Sequence, residues 1–459
     1  MIFARYPRAS FLSALHCTFS RLCVPPLQLN PKQLVLAISC IPRPSLFFFG
    51  SSHVFDAQPI MTEASNALSE ASPQSMKRLD NDANEFLMDE KEVKPEELEI
   101  GIRLYGDAMA SSFSLEERFS LISSIGECVS PEELRLLLEK RKHPICYDGF
   151  EPSGRMHIAQ GVLKAINVNK LTQSGCIFVF WVADWFSLLN NKMGGDLRKI
   201  KRIGEYFIEI WKAVGMDMRN VRFLWASDEI NKNSSEYWLR VMEISRTFNI
   251  SRIKRCCQIM GRSEGDDQPT AQMLYPCMQC SDIYQLKADI CQLGLDQRKV
   301  NMLAREYSEK KKLRKPIILS HPMMPGLNEG QEKMSKSDPS SAIYMEDTVD
   351  GVNSKIKKSF CPPCQLEENP CVAYVEMLVF PKFGQFYVKR SMKNGGDITY
   401  ETVECFRQAY VDGSLHPGDL KSSLARSLNE MIQPVKHHFA TDPYAKKLLA
   451  EILSYKTTR

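Results

Sequence analysis

The feature that most limits how this 459-residue chain can fold is the unbroken apolar run Cys176–Ala183, Cys-Ile-Phe-Val-Phe-Trp-Val-Ala, closed by Asp184. Eight apolar residues without polar alternation suit a strand buried on both faces, the kind found inside a parallel sheet. The surrounding pattern repeats that theme. His143–Gly149 reads as a first strand, a helix follows over about 157–171, and the apolar run comes next. A long helix over about 197–214 leads to a strand at Val221–Ala226, helices cover about 234–248 and 270–287, and Pro316–Leu319 is one further strand. Strand and helix in alternation imply a parallel sheet with right-handed crossovers, an α/β, Rossmann-like nucleotide-binding domain. Neither a Walker A sequence nor GxGxxG occurs, so phosphates must be held by other means.

The flanks have a different character. Residues 1–60 carry Arg5, Arg8, Arg21, Lys32 and Arg43, many serines and no acidic residue before Asp56, the composition of an organelle transit peptide. Leu34–Ile41 is too short to span a membrane. Met61-Thr62-Glu63-Ala64 opens an acidic segment and is a possible second start site, so 1–60 is a leader and 61–95 a flexible polar tail. Helices begin near 96, with capping boxes expected at Ser114-Leu115-Glu116-Glu117 and Ser130-Pro131-Glu132-Glu133. The catalytic domain is expected over 96–345. A mainly helical domain is expected over 346–459, its clearest amphipathic stretch being Leu420–Ile432. A net charge of +4 permits a nucleic-acid partner without demanding one. Fifteen cysteines scattered through apolar segments suit a reducing compartment. The pairs Cys277/Cys280 and Cys361/Cys364, the latter with Cys371 nearby, lack partners at zinc-site spacing, so no structural metal is expected.

Three stretches carry chemistry. Gly154-Arg155-Met156-His157-Ile158-Ala159-Gln160-Gly161 places His157 and Gln160 on one face at a helix start, where backbone N–H groups and the positive helix end favour a phosphate. Gln331-Glu332-Lys333-Met334-Ser335-Lys336-Ser337-Asp338 is a cationic loop with two lysines three apart, suited to charge that develops on a polyphosphate. In Leu274-Tyr275-Pro276-Cys277-Met278-Gln279-Cys280-Ser281-Asp282, the residues Tyr275, Gln279 and Asp282 share one helix face. Asp184, at the carboxyl end of the central strand, reads equally as a ligand contact or a helix cap.

Taken together, these blocks resemble the class I aminoacyl-tRNA synthetases, and in particular the tyrosyl-tRNA synthetases of archaeal and eukaryotic type. Lys333–Ser337 and His157–Gln160 are similar to the paired motifs of the class, and Asp296-Gln297-Arg298-Lys299 matches a further block. The resemblance implies ATP as a substrate with Mg²⁺, tRNA(Tyr) and tyrosine as partners, and a homodimer without membrane attachment. It implies that His157, Gln160, Lys333 and Lys336 are catalytic, and that Met334, Ser335 and Ser337 join them in binding ATP. It assigns Tyr147 and Asp282 to the phenolic hydroxyl of tyrosine, and Tyr275, Gln279 and Gln297 to its α-amino group. A buried Tyr and Asp facing a phenol leave polar groups unpaired when phenylalanine binds, so the assignment agrees with the physics of selectivity. The family pattern is His-Ile-Gly-His; Gln160 in the last place can donate a hydrogen bond but carries no proton.

Leu415-His416-Pro417-Gly418-Asp419 and Lys393-Asn394-Gly395-Gly396-Asp397 resemble the anticodon-binding domain, implying that His416 and Asp419 contact an anticodon base. An aromatic residue usually stands where Asn394 is. The expected activity is therefore a tyrosine–tRNA ligase. A non-catalytic RNA-binding paralogue and a nucleotidylyltransferase acting on another carboxylate or phosphate are the alternatives. The resemblance favours the cytoplasm, and a working transit peptide in residues 1–60 would favour an organelle.

Overall fold

A computed structural model describes residues 103–257, 269–334 and 338–455, all within one unit, Asn81–Arg459. The leader, the polar tail, and Ser335, Lys336 and Ser337 of the lysine loop lie outside the described residues.

Six strands form the main sheet: β1 (Glu127–Val129), β2 (Ile145–Phe150), β3 (Ile177–Val182), β4 (Val221–Trp225), β5 (Ile290–Gly294) and β6 (Ile317–His321). Their order is β1-β6-β5-β2-β3-β4, with β1 antiparallel to β6 and every other pair parallel. The apolar run is the strand β3, buried at every residue. The strand order reverses between β2 and β5, and open α/β sheets bind ligands outside the carboxyl ends of strands at such a point.

Helices cover both faces and divide the core in two. On one face Tyr147, Val179 and Trp181 pack against Met278 and Ile283 of the helix Thr270–Gln285. On the other, Phe178, Phe180, Phe207 and Trp211 belong to an apolar cluster that continues through Ile343, Val352 and Ile356 to Leu424, Leu428 and Phe439. That cluster crosses position 346, so the C-terminal helices share a core with the sheet domain. The amphipathic stretch Leu420–Ile432 is part of the helix Pro417–Thr441, and a two-stranded ribbon, β7 (Phe386–Val388) and β8 (Ile398–Tyr400), accompanies the helices.

The structure departs from the sequence reading in several places. Strands β1 and β5 and the helix Arg298–Lys311 were not marked by the pattern. The box at Ser114 forms, its hydroxyl accepting from the Glu117 amide. The box at Ser130 does not: Ser130 is left-handed, with φ 61°, and makes no side-chain cap. Arg305 holds Glu133 at 2.8 and 3.0 Å and also reaches Ser130 Oγ, which removes both partners of the expected box. The helix predicted from 157 opens as a π-turn, Ala159–Leu163.

Candidate active site

The helix Thr270–Gln285 runs through the protein interior despite Pro276 in its middle. A proline there frees the carbonyl four residues back, and Cys257 Sγ satisfies it, donating to the Gln272 carbonyl at 3.2 Å. The helix can therefore present Tyr275, Gln279 and Asp282 along one buried face, towards Tyr147 of β2. Asp282 Oδ1 accepts from the Tyr237 hydroxyl at 2.7 Å. Asp282 Oδ2, Tyr147 Oη and Gln279 Oε1 are buried and have no hydrogen-bond partner among the described residues. Burial pushes the Asp282 carboxyl well above its usual range, with hydrogen bonding from Tyr237 and from the Trp181 indole opposing. Burial, and then the charge of Asp282, raise the Tyr147 phenol. Unpaired buried polar atoms are costly, and these cluster where a ligand carrying its own donor and acceptor would satisfy them.

The other end of this face is polar and paired. Gln279 Nε2 donates to Gln297 Oε1 at 3.2 Å. The Tyr275 hydroxyl donates to Glu151 Oε1 at 2.7 Å, and Glu151 also accepts from Asn190 at 3.1 Å. Tyr237 and Glu151 are site residues that the sequence reading missed: Glu151 sits in the turn before the quoted Gly154–Gly161 motif, while Tyr237 carried no local signal at all. Asp184 resolves as scaffold. Its carboxylate accepts from the Trp185 amide at 2.9 Å, and from the Ser227 amide and hydroxyl at 3.0 and 2.6 Å, so it ties together the first turns of the helices Asp184–Leu189 and Ala226–Lys232.

Backbone ties the His157 motif to the segment that follows the lysine loop. His157 forms a β-bridge with Tyr344, the Ile158 amide donates to the Ile343 carbonyl at 2.8 Å, and the Met345 amide donates to the Met156 carbonyl at 3.0 Å. Arg155 reinforces the junction by pairing with Glu346 and Asp347, its guanidinium 4.1 Å from the Tyr344 ring centroid. Gly161 packs closely here: a Cβ at that position would stand 2.3 Å from Met345 Sδ and make that flexible side chain move. One expectation changes: the amides of Ile158, Gln160 and Gly161 are already bonded within the protein, to Ile343 and His157. They are not the free donors expected at a helix start. The Gln160 carbonyl accepts from Trp211 Nε1 at 2.9 Å, while its Oε1 is buried without a partner among the described residues. From the lysine loop, Lys333 lies near Asp296, whose carboxyl is raised by burial with the Lys333 cation opposing. Met334 is buried; Lys336, Ser335 and Ser337 fall outside the described residues.

At the far end of the chain, His416 caps the helix Pro417–Thr441, its Nδ1 accepting from the Gly418 amide at 3.0 Å. Asp419 Oδ2 accepts from Asn394 Nδ2 at 2.9 Å, which brings the two quoted C-terminal segments onto one surface.

The family described as tRNA synthetases class I (W and Y) matches residues 139–433. The chain is 58% identical over 355 residues to "Tyrosine--tRNA ligase 1, cytoplasmic" of Arabidopsis thaliana, covering 77% of this chain and 92% of that protein. It is 56% identical over 370 residues to "Tyrosine--tRNA ligase 2, cytoplasmic" of the same plant, covering 80% of this chain and 49% of the other. A solved structure of Leishmania major tyrosyl-tRNA synthetase in complex with tyrosinol aligns with a TM-score of 0.71 at 49% identity, over 75% of this chain and 53% of that one. The chain thus spans about half the length of the last two.

Proposed function

Because the chain belongs to the tyrosyl-tRNA synthetases of class I, we propose that it is a tyrosine–tRNA ligase that works in two steps. The tyrosine carboxylate attacks the α-phosphorus of ATP and expels pyrophosphate, giving tyrosyl-adenylate. A ribose hydroxyl of the terminal adenosine of tRNA(Tyr) then attacks the activated carbonyl and expels AMP. Magnesium enters as part of the substrate MgATP.

The observation that carries this reading is the pair of buried atoms Tyr147 Oη and Asp282 Oδ2, close enough for one charge to shift the other. A phenolic hydroxyl both accepts and donates, so it satisfies the two at once. Phenylalanine would leave both unpaired. Gln279, Gln297 and Tyr275 then face the α-amino end, with Glu151 holding Tyr275 and supplying negative charge towards an ammonium group. His157, Gln160 and Lys333, with Lys336 and Ser335–Ser337, act on the phosphates by hydrogen bonding and charge. No proton transfer is required of them, so a glutamine in place of a second histidine is chemically sufficient. His416 and Asp419 are the proposed anticodon contacts. The non-catalytic alternative has no support from relatives at 56–58% identity that are named as ligases.

A homodimer is the proposed assembly. Leu239, Met242 and Ile250 are 57–71% exposed on the helices Ser234–Thr247 and Ile250–Cys256, an apolar patch suited to a second copy. The proposed compartment is the cytoplasm, as in the names of the Arabidopsis proteins. Among the described residues no helix is long and apolar enough to cross a membrane. The test of the activity is exchange of labelled pyrophosphate into ATP. Tyrosine should support it while phenylalanine and tryptophan do not, and folded protein inert with all three would overturn the ligase reading.

A further inference from the structure

One group of side chains in the C-terminal part serves neither the tyrosine pocket nor the phosphate motifs. The segment between the helices Val349–Lys358 and Pro370–Tyr374 carries Cys361 and Cys364, and Cys371 lies in the first turn of the second helix. All three thiols are free. Sequence spacing pairs Cys361 with Cys364, but the fold pairs it with Cys371. The Cys361 and Cys371 side chains are in hydrogen-bond contact. Cys371 Sγ also lies 3.7 Å from the carbonyl oxygen of Phe360, on the peptide that leads into Cys361. Cys364 is exposed, its Sγ beside Gly413.

The two sulfurs have opposite surroundings. Cys371 is fully buried and faces acceptors. Ser359 gives its hydroxyl proton to the Ile356 carbonyl at 2.7 Å, so its oxygen, 3.0 Å from Cys371 Sγ, stands there as an acceptor. With the Phe360 carbonyl also in reach, this thiol keeps its proton. Its bond to Cys361, and then burial, hold its pKa far above the ordinary cysteine range. Cys361 is only partly buried and faces donors. The Tyr410 hydroxyl stands 3.2 Å from its sulfur and 2.7 Å from the Pro362 carbonyl, so the one phenolic proton can serve either. Hydrogen bonding from Cys371 lowers the Cys361 pKa, burial opposes, and Tyr410, Asn369 and the Lys421 cation add to the lowering. A solvent-reached sulfur that tends to the thiolate thus lies against a buried one that stays protonated. That is the arrangement of an attacking and a resolving cysteine.

The pair also sits beneath the lysine loop. Phe360, immediately before Cys361, donates its amide to the Leu327 carbonyl at 2.8 Å, and the Leu327 amide donates to the Ser341 carbonyl at 2.9 Å. Tyr374, in the same short helix as Cys371, donates its hydroxyl to the Pro325 carbonyl at 3.1 Å. Leu327 and Ser341 bracket the stretch that carries Lys333, so the segments bearing the two cysteines hold the base of that loop.

We propose that Cys361 and Cys371 are a peroxide-sensitive thiol pair, oxidised to a disulfide that displaces the base of the lysine loop and slows tyrosine activation. The effect on activation rests on the ligase reading above. The oxidant is hydrogen peroxide. The Cys361 thiolate attacks one peroxide oxygen: an S–O bond forms, the O–O bond breaks, and hydroxide leaves and takes up a proton. The Cys371 sulfur then attacks the sulfenic sulfur: an S–S bond forms, the S–O bond breaks, and hydroxide leaves with the Cys371 proton as water. Two electrons pass from the two thiols to the peroxide, and a dithiol reductant reverses the change. In a reducing compartment such a bond is transient, as suits a sensor.

The experiment uses the full chain, treated with hydrogen peroxide, alkylated and mapped by mass spectrometry. The expected product is a Cys361–Cys371 crosslink, absent from Cys361→Ser and unchanged in Cys364→Ser. Pyrophosphate exchange by wild type should fall about tenfold on oxidation, since a displacement of about 1 Å far from the chemistry can cost up to about 10²-fold. Dithiothreitol should restore it, and tyrosine binding measured by titration should stay as it was. Cys361→Ser should exchange like wild type before peroxide and keep that rate afterwards, while Cys364→Ser should respond as wild type does. A Cys361–Cys364 bridge, or oxidised Cys361 with Cys371 still open to alkylation after denaturation, would overturn the pairing. A crosslink that leaves exchange unchanged, or equal loss of exchange in Cys361→Ser, would overturn the control of the loop. Wild-type protein inert in exchange before oxidation would count against the ligase reading, and the mapping would still decide on the thiol pair.

Discussion

Replacing Tyr147 by phenylalanine should move stability and selectivity in opposite directions. The hydroxyl is buried and has no hydrogen-bond partner among the described residues. Deleting it removes no internal hydrogen bond, and it relieves part of a desolvation cost of about 1–3 kcal/mol that an unpaired buried polar atom carries. The ligand-free variant should therefore be as stable as wild type or more so, by up to about 1 kcal/mol, a rise of about 2 °C in Tm. Binding changes the other way. With tyrosine bound, the lost hydrogen bond costs roughly 0.5–1.5 kcal/mol, because Asp282 still pairs with the phenol. Phenylalanine meets one unpaired group fewer, a relief of about 1 kcal/mol. Together the two effects amount to about 2 kcal/mol, so the ratio of kcat/KM for tyrosine over phenylalanine should fall roughly 30-fold. Pyrophosphate exchange with each amino acid, beside thermal melts without ligand, measures both. A Tyr147→Phe protein destabilised by more than about 1 kcal/mol with unchanged selectivity would show that the hydroxyl serves the scaffold and not the substrate.

Asp282 gives a pH-dependent counterpart. Its folded-state pKa is raised by burial, so its contribution to stability is fully present below the unfolded value of about 3.9 and is lost as pH rises through the folded one. Asp282→Asn should accordingly gain stability over ligand-free wild type on going from about pH 4.5 to about pH 8, read from denaturant midpoints. A constant difference between the two proteins would contradict the assigned shift. Lys333→Ala should slow pyrophosphate exchange by about 10²–10³ with little change in fold, as loss of one preorganised transition-state contact does; near-wild-type exchange would remove Lys333 from the mechanism. Asp419→Ala should raise the KM for tRNA in aminoacylation about tenfold and leave exchange untouched, whereas equal loss in both assays would point to a structural role. Leu239→Lys with Met242→Lys should yield a monomer in sedimentation, and a dimer that survives both changes would move the interface elsewhere.

Much of this architecture was legible because it rests on local chemistry. The run Cys176–Ala183 needs no partner to declare itself a doubly buried strand, and Tyr275, Gln279 and Asp282 declare their shared face by spacing alone. What stayed hidden depends on distant partners. Strand β1 is three residues long and is held as a strand by pairing with β6. Strand β5 is five residues entered through Asp289, an acid that looks like loop until Arg141, Arg314 and the Ile145 amide are seen to hold it. The sequence Ser130-Pro131-Glu132-Glu133 has the right letters for a capping box and loses it to Arg305, about 170 residues away in the chain. Tyr237 supplies the hydroxyl on Asp282 from a helix whose own pattern contains no hint of that contact.

Two buried aspartates show how site and scaffold can be told apart. Asp184 and Asp282 are both almost fully buried, both lie on the side of the sheet that carries the amino-acid pocket, and residue type alone makes either a candidate ligand. Asp184 has three internal donors, two on Oδ1 and one on Oδ2, so both of its oxygens are paired within the protein. A ligand would have to displace one of these bonds to reach it. Asp282 accepts the Tyr237 hydroxyl on one oxygen and has the Trp181 indole close by, while its other oxygen and Tyr147 Oη make no full hydrogen bond among the described residues. Evolution towards stability alone would replace such a pair with well-packed apolar side chains. A bound tyrosine hydroxyl would supply the missing partner. Gln160 Oε1 is likewise buried without a partner among the described residues, a bond left to make that the ligase proposal assigns to ATP.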